Sequence, residues 1–184
     1  MSIKGLEQAI ANLNSISEKA VPRASAQSVN RIAGQAVNRS VSVVSKSTRV
    51  PRKLVKQRAR IRRATVSKPR ALIRVNRGNL PAIKLGTANV RLSRRKRDKS
   101  GASSVLRIGP FRFPGAFIQQ LANGRWHVLR RTTRNRYPIE VVSIPLAVPL
   151  TEAFRAELPR LMDERMPEVM RQNLQNQLRL ILSR

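Results

Sequence analysis

Between Lys19 and Arg97 the chain has neither Asp nor Glu. A soluble surface normally interleaves both signs of charge, because like charges crowded on a compact body repel. An acid-free run of this length costs the folded state stability. It points to compensation by a polyanion outside the chain, nucleic acid phosphate first. A solvated basic face that only aids solubility is the plainer account, adequate for short charge runs and weaker for one this long. Cysteine is also absent, which excludes a disulfide framework and a thiolate metal site and fits a reducing cytoplasm. His127 is the only histidine, so a multi-histidine metal site cannot be built. Beside Trp126 in an expected strand, it reads as structural. The acids show no pairing suited to acid/base work. There is no Gly-rich phosphate loop of the Walker type, no zinc-finger spacing and no RNA-recognition aromatic motif. Catalytic residues, cofactors and metals are therefore not expected. No apolar run approaches the roughly 20 residues of a membrane helix. The greasiest stretch, Ile139 to Leu150, is broken by Glu140, Pro145 and Pro149. The start, Met1-Ser2-Ile3-Lys4-Gly5-Leu6-Glu7, lacks the apolar block of a signal peptide. No membrane span is expected, while binding to an anionic membrane surface stays open.

What is present is positive charge on an aliphatic body. The 184 residues hold 38 Lys and Arg against 9 Asp and Glu, a formal charge of +29. Hydrophobic residues at 41% suffice for a core, and with 3% aromatics that core is Val, Leu, Ile and Ala. The length suits one domain, 1–184. Its expected class is α+β: N-terminal helices, a central, mostly antiparallel β-sheet and C-terminal helices. The corresponding parts are a basic helical segment 1–63, a β-rich core 64–150 and a helical segment 151–184.

Ile3, Leu6, Ile10 and Leu13 step by three and four, one face of an amphipathic helix reaching about Lys19. Pro22 suits the start of a second helix. Ala26, Val29, Ala33, Ala36, Ser40 and Val44 carry its stripe, flanked by Ile32, Val37 and Val41. The two stripes are expected to pack on each other or on a sheet. Pro51 opens a third expected helix with a narrow seam of Leu54, Val55, Ala59 and Ile61. Its other faces carry Arg52, Lys53, Lys56, Arg58, Arg60, Arg62 and Arg63. Like charges at helical spacing repel, so such a helix needs an apolar dock on one side and gains from an anion on the other.

From Thr65 the period changes to two. Ala71, Ile73 and Val75 alternate with Leu72, Arg74 and Asn76, a strand signal, and Arg77-Gly78-Asn79 reads as a turn. Ile83 to Leu85 and Val90 to Leu92 are expected as short strand pieces around Gly86. The run Arg94-Arg95-Lys96-Arg97, with Lys99, then sits on a basic hairpin loop, 93–104, before a strand at Val105 to Ile108. Asn123-Gly124 predicts a hairpin between Phe117 to Leu121 and Trp126 to Leu129. Thr132 to Arg136 reads as a loop and Ile139 to Ile144 as the last strand. Thr151 is an expected cap of a C-terminal helix, with Glu152 in its first turn. Pro159 and Pro167 predict a kink or two short helices, followed by the stripe Met170, Leu174, Leu178 and Ile181. The candidate nucleic-acid-facing residues are thus Arg94, Arg95, Lys96, Arg97 and Lys99 on the loop and Arg52 to Arg63 on the third helix.

Several segments carry a resemblance. They are Ile3 to Ala9, Arg52-Lys53-Leu54-Val55-Lys56 with Arg58-Ala59-Arg60, Val75-Asn76-Arg77-Gly78, Ile83 to Gly86 and Pro114 to Leu121. Asn123 to Val128, Asn135 to Ile139 and Ile144 to Leu150 complete the set. In this order and over almost the whole chain, the sequence resembles the minor tail protein Z family of lambda-like, long-tailed bacteriophages and prophages. The resemblance implies a virion structural protein acting late in tail assembly, at the head-proximal end of the tail where head, tube and genome end meet. It implies a homo-oligomeric ring, a hexamer, around the DNA channel. The implied partners are the tail terminator, tube or tape-measure protein and the genomic DNA end. The implied location is the virion tail, and the host cytoplasm during assembly. The competing expectation, which composition alone favours, is a free sequence-nonspecific nucleic-acid-binding protein of the nucleoid or ribosome.

Overall fold

The computed structural model describes residues 4–92, 104–133 and 138–182. The loop cations Arg94, Arg95, Lys96, Arg97 and Lys99 lie outside the described residues, as do 134–137, which include the end of the expected loop at Thr132 to Arg136. The architecture is α+β. The helices are α1 (Lys4–Ser15), α2 (Val21–Thr48), α3 (Arg52–Lys56) and α4 (Ala147–Leu182). Among the described residues the antiparallel strands are spread over four small sheets rather than one central sheet. The chain divides into two compact units, one of Met1–Val43, Ala59–Val75 and Leu150–Arg184, the other of Val44–Arg58 and Asn76–Pro149.

In the first unit α1 and α2 are not two packed helices. They run on through a π-helical turn, Ile16–Ala20, whose flanking residues Ser15 and Val21 are both right-handed helical. Pro22 explains the turn. It has no N–H for the ladder, and its ring crowds the carbonyl of Glu18 four residues back. The preceding turn widens, and the Val21 N–H bonds the Ile16 carbonyl five residues back. The expected packing of the first stripe on the second is therefore overturned: Ile10 and Leu13 are 50% and 65% exposed.

The third expected helix is corrected too. α3 stops at Lys56, and Ala59–Arg62 forms strand β1, paired antiparallel with β2 (Leu72–Val75). Arg58-Ala59-Arg60-Ile61-Arg62 alternates polar and apolar residues, a period that suits a half-buried strand better than a helical seam. Ile73 of β2 packs against the buried cluster of Ile32, Ala36, Leu161 and Val169. Asn30 of α2 clamps the end of β1. Its Nδ2 donates to the Ala64 carbonyl at 2.9 Å, and the Ala64 N–H donates to its Oδ1 at 2.7 Å. Buried Ser28 donates to the Ala24 carbonyl and accepts from Asn173 Nδ2 at 2.9 Å, joining α2 to α4.

α4 is one 36-residue helix that holds both Pro159 and Pro167. It begins four residues before Thr151, with Pro149 in the first turn where a missing N–H is harmless. Arg155 and Asp163, whose carbonyls lose their amide partners to the two internal prolines, are exposed, so water can serve them. The buried anchors Leu161 and Val169 hold the helix to the core across both proline sites.

The second unit is mostly strand. β3 (Leu80–Pro81) pairs with β10 (Ser143–Ile144). Ala82–Leu85 is a 3-10 turn, not the expected strand piece at Ile83 to Leu85, and it ends at Gly86 with φ 141°. β4 (Ala88–Leu92), β5 (Ser104–Ile108) and β6 (Phe111–Pro114) form a sheet, with Leu92 opposite Ser104 at the foot of the expected basic loop. β7 (Ala116–Gln120), β8 (Trp126–Arg131) and β9 (Ile139–Val141) form another. The Asn123-Gly124 hairpin is where the sequence puts it, with Gly124 at φ 72°. The expected last strand is divided. The Val142 N–H donates to the Val128 carbonyl, and the Val142 carbonyl accepts from Ala82 N–H.

Candidate nucleic-acid interface

In the first unit the candidate surface is the β1–β2 ribbon. Period-two alternation turns Ala59 and Ile61 to the half-buried side and leaves Arg60 and Arg62 exposed. The register sets Arg60 opposite Arg74 and Arg62 opposite Leu72, so Arg60, Arg62 and Arg74 share one face. Directly opposed side chains on a strand pair have Cβ atoms about 4.5–5.5 Å apart, and like charges there are destabilising. Residues 60–74 add Arg63, Lys68 and Arg70, all exposed, and hold no acid. Among the described residues none of these six cations is in an ion pair; the pairs formed are Arg39–Glu157, Arg130–Glu140 and Arg165–Glu168. The bend between the strands is tied by Thr65 and Lys68, which exchange backbone hydrogen bonds at 3.0 and 3.2 Å.

In the second unit Arg52, Lys53 and Lys56 are exposed on α3. Arg58 is half-buried and serves as a brace: its Nη2 donates to the Asn79 carbonyl at 2.9 Å, and its own carbonyl accepts from Asn76 N–H. A second opposed arginine pair lies on β5–β6, Arg107 facing Arg112. Against these, Arg130 on β8 faces Glu140 on β9 and bonds it at 2.6 Å.

The structure thus brings Arg60, Arg62 and Arg63 together on the ribbon, and puts Arg52, Lys53, Lys56 and Arg58 in the other unit. The same described faces also hold Lys68, Arg70, Arg74, Arg107 and Arg112, which the charge runs of the sequence do not single out. The signal for Arg74 was available, since β1 and β2 have matching alternations that pair as a hairpin.

No group of three or more metal-ligating side chains occurs among the described residues. None of their helices is long and apolar enough to cross a membrane. His127 sits half-buried on β8 opposite Gln119, with Nδ1 unpartnered. What the described surface offers is cationic strand faces on an α+β scaffold. The particular family follows from residues 3–184, which match the family described as prophage minor tail protein Z. The chain belongs to that family. It is 79% identical, over the full length of both chains, to a tail completion protein of Escherichia phage N15. It is 55% identical, again over all of both chains, to tail completion protein Z of Escherichia phage lambda. No solved structure matches.

Proposed function

We propose that the chain acts in phage tail assembly as a non-catalytic ring subunit, six to a ring, at the head-proximal end of the tail, and that its cationic strands face the genome end. Membership in a minor tail protein family supports the tail role, and the two relatives are named for tail completion. The observation that carries the DNA-facing reading is the opposition of arginine to arginine on β1–β2 and again on β5–β6. A fold that needed only solubility would interleave acids there, as Glu140 does opposite Arg130. Like charges held against each other are relieved when phosphates bind between them. Other tail proteins, such as the terminator, tube or tape-measure protein, are the protein partners of this reading. The virion tail is its final location, reached from the host cytoplasm.

Fluorescence anisotropy with two unrelated duplexes across a salt series tests it. Sequence-blind phosphate contacts give equal affinities for the two duplexes and a steep salt slope, about −0.9 per contact. Replacing Arg94, Arg95, Lys96 and Arg97 together with Ser should flatten the slope by up to about four contacts' worth. A wild-type chain that binds neither duplex at low salt overturns the DNA-facing reading and leaves a protein-partner role for the basic surface.

A further inference from the structure

Among the described residues, two apolar surfaces of the first unit are exposed. One is α1, where Ile10 and Leu13 are 50% and 65% exposed. The other is a groove of about 670 Å3 whose walls come from α2, the β1–β2 ribbon and α4. Val29 and Ile32, Leu72 and Ile73, and Phe154 and Met162 line it. Leu158 and Met162 on its edge are 37% and 44% exposed. Grooves of this kind take the apolar face of an amphipathic helix.

We propose that α1 of one copy seats in this groove of a second copy, the contact by which subunits join in the ring read above. Geometry excludes a chain filling its own groove. The helix is continuous from Lys4 through the π turn to Thr48, and Leu13 precedes Val29 by about 24 Å of helix. Charge favours the pairing. From Lys4 to Ala20 the two acids Glu7 and Glu18 balance Lys4 and Lys19, a stretch without net positive charge in a chain of +29, and Glu7 stands one turn from Ile10. The groove lining contains Arg70 and Arg155 and no carboxylate. Copies that repel through the rest of their surfaces therefore meet here with that repulsion relieved, and Glu7 is the charge nearest Ile10 to face the two groove arginines. The contact joins two different patches, so it is head-to-tail, and it closes into a ring when the rotation between neighbours permits.

The chain has no cysteine, so each introduced thiol is unique. A Leu13→Cys chain is mixed with a Met162→Cys chain at high salt under a mild oxidant, and disulfide-linked pairs are counted on a non-reducing gel. Docking holds the two thiols at about millimolar effective concentration against micromolar in bulk, so the mixed pair should exceed controls more than about tenfold. The controls are each chain alone and Leu13→Cys with Val148→Cys. Ile10 is exposed, so Ile10→Asp should leave the fold intact while abolishing both the mixed cross-link and oligomers seen by sedimentation. Mixed cross-linking no stronger than the controls, with oligomers that survive Ile10→Asp, overturns this contact and leaves the ring reading standing. Absence of both cross-links and oligomers overturns the two together. A chain carrying both Leu13→Cys and Met162→Cys that closes only on itself overturns the proposal in favour of back-folding.

Discussion

Arg60 and Arg74 make a prediction in which stability and binding move in opposite directions. Both side chains are exposed, so the field between their guanidinium groups is close to that of bulk water. With the charges splayed to about 6 Å, the repulsion is about 0.7 kcal/mol at a dielectric constant of 80. Arg74→Gln should therefore stabilise the protein by about 0.5 kcal/mol near 0.01 M salt, where screening reaches about 30 Å. The gain should vanish near 1 M salt, where it reaches about 3 Å. Arg60→Gln should do the same. The double substitution should gain less than the sum of the singles, since the pair interaction is removed only once. Arg74→Lys should match wild type. Urea unfolding is the assay, because urea adds no ions, and the midpoint should move without a change in m. On duplex DNA the same Arg74→Gln should flatten the salt slope by about 0.9, which shrinks the loss of affinity between about 50 and 200 mM salt by a factor of about 3.5. A loss of stability on Arg74→Gln at low salt refutes the electrostatic reading of the ribbon. A gain in stability with an unchanged slope keeps the repulsion but removes the ribbon from the DNA contact.

Asn30→Ala should cost about 2–4 kcal/mol by urea unfolding, because it removes two hydrogen bonds and strands the Ala64 N–H and carbonyl; a cost below about 0.5 kcal/mol would mean water replaces the clamp. Arg49 follows α2 in left-handed backbone, φ 58°, where glycine carries no Cβ penalty. Arg49→Gly should raise stability by about 0.5–1 kcal/mol, read as a higher urea midpoint. The net charge of +29 predicts mostly monomer at low salt, with rings on tail ends or at high salt. A closed ring found by analytical ultracentrifugation at low salt without nucleic acid would contradict that.

The elements legible in the sequence were those whose local signals agree. Asn123-Gly124 lies between two alternating runs, and α2 repeats its small apolar residues over 28 residues. The ribbon was harder to see because Arg58 to Arg63 satisfies two periods at once. Leu54 and Val55 begin a helical seam that Ala59 and Ile61 continue at plausible spacing, and only the partner strand at Leu72–Val75 decides for pairing. Pro159 and Pro167 mark breaks by local rules, yet Leu161 and Val169 are buried against α2, and that packing outweighs two lost backbone bonds. Pro22 suits the first turn of a helix as well as it suits the residue after a π turn, so local rules mark the start of α2 at Val21 without showing that the helix runs on from α1. Charge pattern locates the basic half but does not sort brace from exposed surface. Arg58 spends its guanidinium on Asn79, while Arg60, two residues on, spends its on no described acid.

Val142 gives the second unit a mechanical character. A strand pair of two residues, such as β3 with β10, is too short to persist alone. Val142 rivets it to the β7–β8–β9 sheet through one peptide on each side, to Val128 and to Ala82. Tension entering from the start of α4 at Ala147 travels back through Leu146 and reaches β10 first. Once it has loosened that pair it meets the Val128 bond next, so the two small sheets resist one after the other. Val142→Pro would remove the N–H of that rivet and leave β10 to yield on its own, a fuse placed next to the 36-residue helix α4.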